Sequence, residues 1–196
     1  MRRVEFLVTD PALIGAVFEE AESGCLGLID ETGAPYQTQV NLVWAQGALW
    51  FHSGPLGTKI KLIKACPKVH VSVVLASSFV PSYATDPQKP CSATQFFRSV
   101  HVKGEAQLVE DLGLKAQILG LLMQKLQPEG GYQPLEQYPS ALQSVVLVQI
   151  IPQEITGKFK FGQNLTAQKR QDLIKTLQES ADPRAQEALA WINRLA

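Results

Sequence analysis

Between Cys25 and Ser53 the chain has room for three short extended segments and two tight reversals, and for little else. Cys25 to Asp30 is a short apolar run. Glu31-Thr32-Gly33-Ala34 has the composition of a hairpin turn, where glycine reaches a left-handed backbone without a Cβ penalty. Pro35 opens a second segment through Val43, with Tyr36, Thr38, Val40 and Leu42 on one face. Ala45-Gln46-Gly47 turns the chain again into Ala48 to Ser53. Closely spaced strands joined by polar turns predict an antiparallel sheet of barrel type and argue against a doubly wound parallel one.

The flanking segments fit that frame. Asp10-Pro11 supplies an N-cap and a first-turn proline to a helix that gathers Leu13, Ile14, Val17 and Phe18 on one face, and Ser23-Gly24 ends it. Thr58 to Ala65 reads as a short helix stopped by Cys66-Pro67. Lys68 to Ala76 alternates, with Val69, Val71 and Val73 inward. Ser77 to Ala93 carries three prolines and reads as a long loop of the functional or mobile kind. Thr94 to Glu110 is a second long β segment with Gly104 as a bulge or bend. Leu112 to Leu126 is helical, Gln127 to Ser140 connects, and Val145 to Ile155 is β-branched strand. Two helices, Thr166 to Glu179 and Pro183 to Leu195, close the chain. The expectation is one domain overall: a barrel over residues 1–160, with the helical extension 161–196 packed on it. Its helices would cover barrel ends and open edges. No repeat or low-complexity tract interrupts it.

Charge and cysteine content narrow the function classes. Eighteen basic residues balance eighteen acidic ones in a chain of 196. No global field draws it to nucleic acid or an anionic membrane, so an anion site must be local. Cys25, Cys66 and Cys91 make an odd set without a C-x-x-C pair, which predicts reduced thiols in a cytoplasmic protein, with Cys25 and Cys66 as small core residues. Neither a signal peptide at the N-terminus nor an apolar run of membrane-spanning length is present in the sequence.

The familiar nucleotide motifs are missing. Gly54 and Gly57 lack P-loop spacing, and Gly24-x-x-Gly27 precedes a strand instead of opening a helix. No G-x-S-x-G elbow supports a serine hydrolase, and Ser53 points away from its neighbour His52. His52, His70 and His101 lack ligand partners at zinc spacing. His70 and His101 fall on the polar phase of their strands and read as solvated. One segment does have the parts of a phosphate site. At Gly57-Thr58-Lys59 a helix start offers free N–H groups and its dipole, Thr58 a hydroxyl, Lys59 an ammonium and Gly57 close approach. Local pattern alone equally describes a plain loop-to-helix junction with solvated lysines.

Read together, these segments resemble the pyridoxamine 5′-phosphate oxidase-like superfamily of FMN-binding split β-barrels, and within it the nitroimidazole-resistance (Nim) branch. The resemblance is carried by Cys25-Leu26-Gly27-Leu28-Ile29-Asp30, by Pro35-Tyr36-Gln37-Thr38-Gln39-Val40-Asn41, by Leu49-Trp50-Phe51-His52-Ser53 with Gly57-Thr58-Lys59, and by Phe97-Arg98-Ser99-Val100 with Gly104-Glu105-Ala106. The tail Thr156-Gly157-Lys158-Phe159-Lys160-Phe161-Gly162-Gln163-Asn164 is similar to a segment of FMN-binding repressor-like relatives.

The fold so implied is mainly β with peripheral helices, antiparallel and Greek-key-like. The cofactor implied is FMN, held at the interface of a homodimer. By position, Ser53, Thr58 and Lys59 would hold the phosphate, and Gln39, Val40 and Asn41 would face the flavin ring. Arg98 and Ser99 would reach the cofactor from either subunit. Lys160, Gln163 and Asn164 would serve the flavin or substrate side, and His52 would lie near the flavin as the candidate catalytic group. Thr58 stands where true pyridoxamine phosphate oxidases carry arginine, and their C-terminal Trp and Arg pattern is missing, which argues against pyridoxal phosphate synthesis. The implied activity is reduction of a small electron-poor substrate. A flavin-binding sensor or regulator is the alternative, and deazaflavin or haem the alternative cofactors.

Overall fold

The computed structural model describes residues 3–86 and 88–195. A two-residue strand β1 (Leu7–Val8) precedes helix α1 (Pro11–Glu20). The Asp10 carboxylate accepts the Ala12 N–H at 2.8 Å, and the helix buries Ile14, Val17 and Phe18. The expected hairpin follows as β2 (Ser23–Ile29) and β3 (Pro35–Asn41), paired from Ser23↔Asn41 to Ile29↔Pro35. Asp30 builds the turn between them. Its carboxylate accepts from the Thr32 N–H and hydroxyl and from the Ala34 N–H, at 2.6–2.9 Å, and these bonds hold its pKa below the usual carboxylate value.

The second segment does not run unbroken to Val43. It stops at Asn41, and β4 (Val43–Ala45) starts anew beyond Leu42. At that break the Leu42 N–H donates to the Glu22 carbonyl, while the Leu42 carbonyl accepts from the Lys125 ammonium. Strand β5 (Ala48–Ser53) and helix α2 (Thr58–Ala65) occupy the expected residues.

Strand β6 (Lys68–Val80) runs past Ala76, so the following loop is shorter than expected. Its described part contains two 3-10 turns, Ser82–Ala84 and Pro90–Ser92. Strand β7 (Thr94–Val109) is continuous through Gly104. What that glycine admits is the backbone of the neighbouring strand, since a Cβ there would collide with the Ile151 carbonyl. Then come α3 (Leu112–Leu126), the short α4 (Pro139–Ser144), β8 (Val146–Lys160), α5 (Ala167–Gln178) and α6 (Pro183–Arg194).

The sheet order is β3-β2-β6-β7-β8-β5-β4, with β1 on β8, and every ladder whose register is resolved is antiparallel. Chain neighbours β5 and β6 are separated in the sheet by β8 and β7, a Greek-key-like departure from a simple meander. The chain forms two compact units, both discontinuous in sequence. One comprises Asp10–Val73 and Val100–Thr156. Its core includes Val43, Ala48, Trp50, Ile118, Leu122 and Leu147, and the Trp50 indole donates to the Ala45 carbonyl at 2.8 Å. The other comprises Met1–Thr9, Val74–Ser99 and Gly157–Ala196. Phe159 and Phe161 there meet Trp191 of α6 at ring separations of 5.3 and 5.9 Å, and Arg170 of α5 donates to the Ile192 carbonyl. No helix among the described residues is long and apolar enough to cross a membrane. Cys25 and Cys66 are half-buried, not core, and Cys91 is exposed.

Candidate functional site

Four helices close their own N-termini: the side chains of Asp10, Asp111, Thr166 and Asp182 cap α1, α3, α5 and α6. Helix α2 does not. Its N-cap is Gly57, in extended conformation at φ −72° and ψ 150°, and no side chain bonds to the first turn. The Ile60 N–H donates to the Gly57 carbonyl at 3.0 Å, which leaves the Thr58 and Lys59 N–H groups as the donors an anion could use, and the helix dipole favours one.

Ser53 lies under this turn. It is buried, and a Cβ placed on Gly57 would sit 3.7 Å from Ser53 Oγ. That hydroxyl has no side-chain hydrogen bond among the described residues. Thr58 is exposed and Lys59 half-buried. Lys61, one turn face away, is neutralised by Glu31 at 2.6 Å, whereas Lys59 has no carboxylate partner among the described residues. A buried hydroxyl, an uncapped helix start and an unpaired ammonium together fit a phosphate monoester.

His52 pairs in register with Leu147, and Ser53 with Val146. Adjacent strand residues face opposite ways, so His52 is exposed while Ser53 is buried. Crowding by surrounding atoms and then the Lys59 charge hold the His52 imidazolium pKa below its ordinary value. At neutral pH His52 is therefore chiefly a neutral imidazole, with one N–H donor and one acceptor.

On β3, Gln39 and Asn41 are exposed and Val40 is buried, opposite Cys25, Ser23 and Gly24 respectively. The Asn41 amide donates to the Glu22 carbonyl at 3.2 Å. These residues share one compact unit with His52, Ser53, Thr58 and Lys59.

Arg98, Ser99, Lys160, Gln163 and Asn164 belong to the other unit. Arg98 is buried; it donates to the Glu187 carboxylate at 3.0 Å and lies 4.6 Å above the Trp191 ring. Ser77 donates to the same carboxylate at 2.9 Å. Ser99 is buried and points its hydroxyl at the Lys158 carbonyl, 3.5 Å away. Both ends of the Gln163 amide serve the backbone: Oε1 accepts from the Phe161 N–H at 2.7 Å and Nε2 donates to the Phe159 carbonyl at 2.8 Å.

Lys160 and Asn164 line a cavity of about 490 Å³, together with Lys158. Sequence reading had not singled out Lys158 as a site residue. The signal was there in Lys158-Phe159-Lys160-Phe161, whose alternation puts both lysines on one strand face. His70 and His101 keep to the polar phase of their strands, as expected, and their rings lie 5.3 Å apart, tilted by 43°. No group of three or more metal-ligating side chains occurs among the described residues.

An antiparallel β+α sheet whose second helix starts uncapped at Gly57 defines the fold class, and comparison with known proteins narrows it. Residues 10–159 match the model of the pyridoxamine 5′-phosphate oxidase family, and the chain belongs to that family, with its split-barrel fold. Among solved structures it is similar to a candidate 5-nitroimidazole antibiotic resistance protein from Bacteroides thetaiotaomicron, at 22% identity and TM-score 0.65, over 78% of this chain and 85% of that one. A flavocytochrome from Azotobacter vinelandii matches at 17% identity and TM-score 0.68, over 79% and 69% of the two chains. An FAD- and haem-binding protein from Mycobacterium smegmatis matches at 13% and 0.66, over 79% and 73%. No curated protein matches the chain significantly.

Proposed function

We propose that this protein is an FMN-binding oxidoreductase that reduces a small electron-poor substrate. The observation that carries the reading is the open N-terminus of α2, with buried Ser53 beneath it and unpaired Lys59 in its first turn. Family membership supports it, as do the flavin- and haem-binding descriptions of two structural neighbours. Ser53, Thr58 and Lys59 hold the phosphate. Gln39 and Asn41, exposed on β3 beside buried Val40, offer polar groups to the ring, and Arg98 and Ser99 reach the cofactor. When bound, FMN supplies the two-electron chemistry. His52 orients the substrate through one N–H or passes it a proton, as its neutral form at ordinary pH allows. The working unit is a homodimer in the cytoplasm.

The test begins with colour. Purified protein should be yellow, should release a cofactor of FMN mass on denaturation, and should elute as a dimer in light-scattering chromatography. Under anaerobic conditions NADH or NADPH should reduce it, and a nitroaromatic or quinone should reoxidise it faster than air does. A flavin that neither nicotinamide reduces would replace the enzyme with a flavin-binding sensor. Colourless protein that takes up no FMN, or one whose cofactor is deazaflavin or haem, would overturn the FMN assignment.

A further inference from the structure

The cavity beside the end of β8 is built within residues 3–9, 74–99 and 157–195, and four cations border it: Arg3, Lys158, Lys160 and Lys169. No carboxylate among the described residues lines it. Two of the four have acidic neighbours outside the lining, Arg3 with Glu5 at 3.6 Å and Lys169 with Asp86 at 3.7 Å. Lys158 and Lys160 have none among the described residues. They project from the same face of β8, two residues apart, while Phe159 and Phe161 fill the opposite face. Lys158 lies over the Phe97 ring at 5.3 Å, and Lys160 donates to the Thr94 hydroxyl. Burial, then the charges of Lys158 and Arg3, lower the Lys160 pKa. Like charges gathered at a partly buried cavity repel one another, and an anion among them relieves that repulsion.

The rest of the lining says what kind of anion. Buried Phe6, Phe96 and Leu173 give the cavity an apolar floor, and about 490 Å³ is room for an organic molecule, well beyond a bare ion. A phosphate cradle of the α2 kind is missing here, because Thr166 already caps α5 beside the cavity. Point-charge lysines with an apolar floor suit a single carboxylate on a flat hydrophobic body.

We propose that this cavity, lined by Lys158, Lys160 and Phe97 above an apolar floor, binds a small aromatic carboxylic acid. The site shares Lys160 and Asn164 with the residues expected on the flavin or substrate side but involves neither α2 nor His52, so its test is separate from that of the phosphate site. Lys158 and Lys160 contact the carboxylate, and the ring packs on Phe96 and Phe97.

Calorimetric titration of the full-length protein with four probes at fixed ionic strength tests this: benzoate, its neutral isostere benzamide, acetate and inorganic phosphate. Benzoate should bind at least about tenfold more tightly than each of the others. Lys160→Met and Lys158→Met should each weaken benzoate about tenfold, the loss expected of one charge-assisted contact, and leave benzamide unchanged. Either variant alone suffices if the other does not fold by circular dichroism. Equal binding of benzamide would remove the charge requirement, and equal binding of phosphate would remove the apolar body. Failure of benzoate to bind, an unaltered affinity in a folded variant, or release of bound flavin by benzoate would each overturn the proposal.

Discussion

Replacing Lys59 with Ala separates a phosphate site from an ordinary helix start. Lys59 sits in the first turn of α2, half-buried and without a carboxylate partner among the described residues. A charge-assisted contact contributes about 1.5–3 kcal/mol. Partial exposure places Lys59 at the lower end, so FMN affinity should fall about tenfold, which corresponds to about 1.4 kcal/mol. The same change removes one of the two causes of the lowered His52 pKa. Crowding by surrounding atoms is the larger cause and remains, so the imidazole pKa should rise only part of the way to its ordinary value. Flavin fluorescence quenching in apo-protein reads the first effect and an NMR titration of the imidazole carbon-bound protons the second. Lys59→Arg should restore most of both. If His52 responds while FMN affinity stays unchanged, Lys59 is close to the histidine but does not hold a phosphate, and the reasoning fails.

Three further expectations concern single side chains. Gly104→Ala should cost about 3 kcal/mol or prevent folding, since backbone cannot yield to the added methyl; urea unfolding measures it, and a cost near zero would disprove the close approach to Ile151. Trp191→Ala should cost about 3–5 kcal/mol, because it strips the ring that meets Phe159, Phe161 and Arg98; a loss under 1 kcal/mol would mean α6 is weakly docked. With its folded pKa lowered, His52 takes up its proton later than in the unfolded chain, so its contribution makes stability decline as pH falls below about 6.5. His52→Gln should flatten that decline, as unfolding curves at two pH values would reveal, and should keep FMN while losing turnover; unchanged turnover would exclude the catalytic role.

Local chemistry made much of the fold readable. Asp10-Pro11 announced α1, Glu31 to Ala34 the hairpin turn, and the Lys68 to Ala76 alternation the start of β6. Errors came where a distant partner decided the outcome. Ser77 and Ser78 look like the end of a strand, yet both are buried within β6, and Ser77 bonds Glu187 from α6. Thr156-Gly157 looks like a loop, yet β1 pairs there and carries β8 on to Lys160. The break at Leu42 depends on Lys125, a residue no local window contains. The site shows the same division. Gly57, in place of the usual capping residue, was legible in sequence because the signal is local. The bonds of Arg98 with Glu187 and the backbone clamp by Gln163 emerged only once the tail was seen in place.

The missing cap on α2 also bears on how this protein would respond to engineering for stability. Serine or aspartate at position 57 supplies the acceptor that the other long helices possess, a gain of about a few tenths of a kcal/mol over glycine by ordinary capping. A thermostability screen blind to ligands would select that change. The new side chain would take the place proposed for the phosphate, and aspartate would repel such a group as well. On the proposed reading, robustness and cofactor retention compete at a single glycine, and amide hydrogen exchange at Thr58 and Lys59 is where that competition would first be visible.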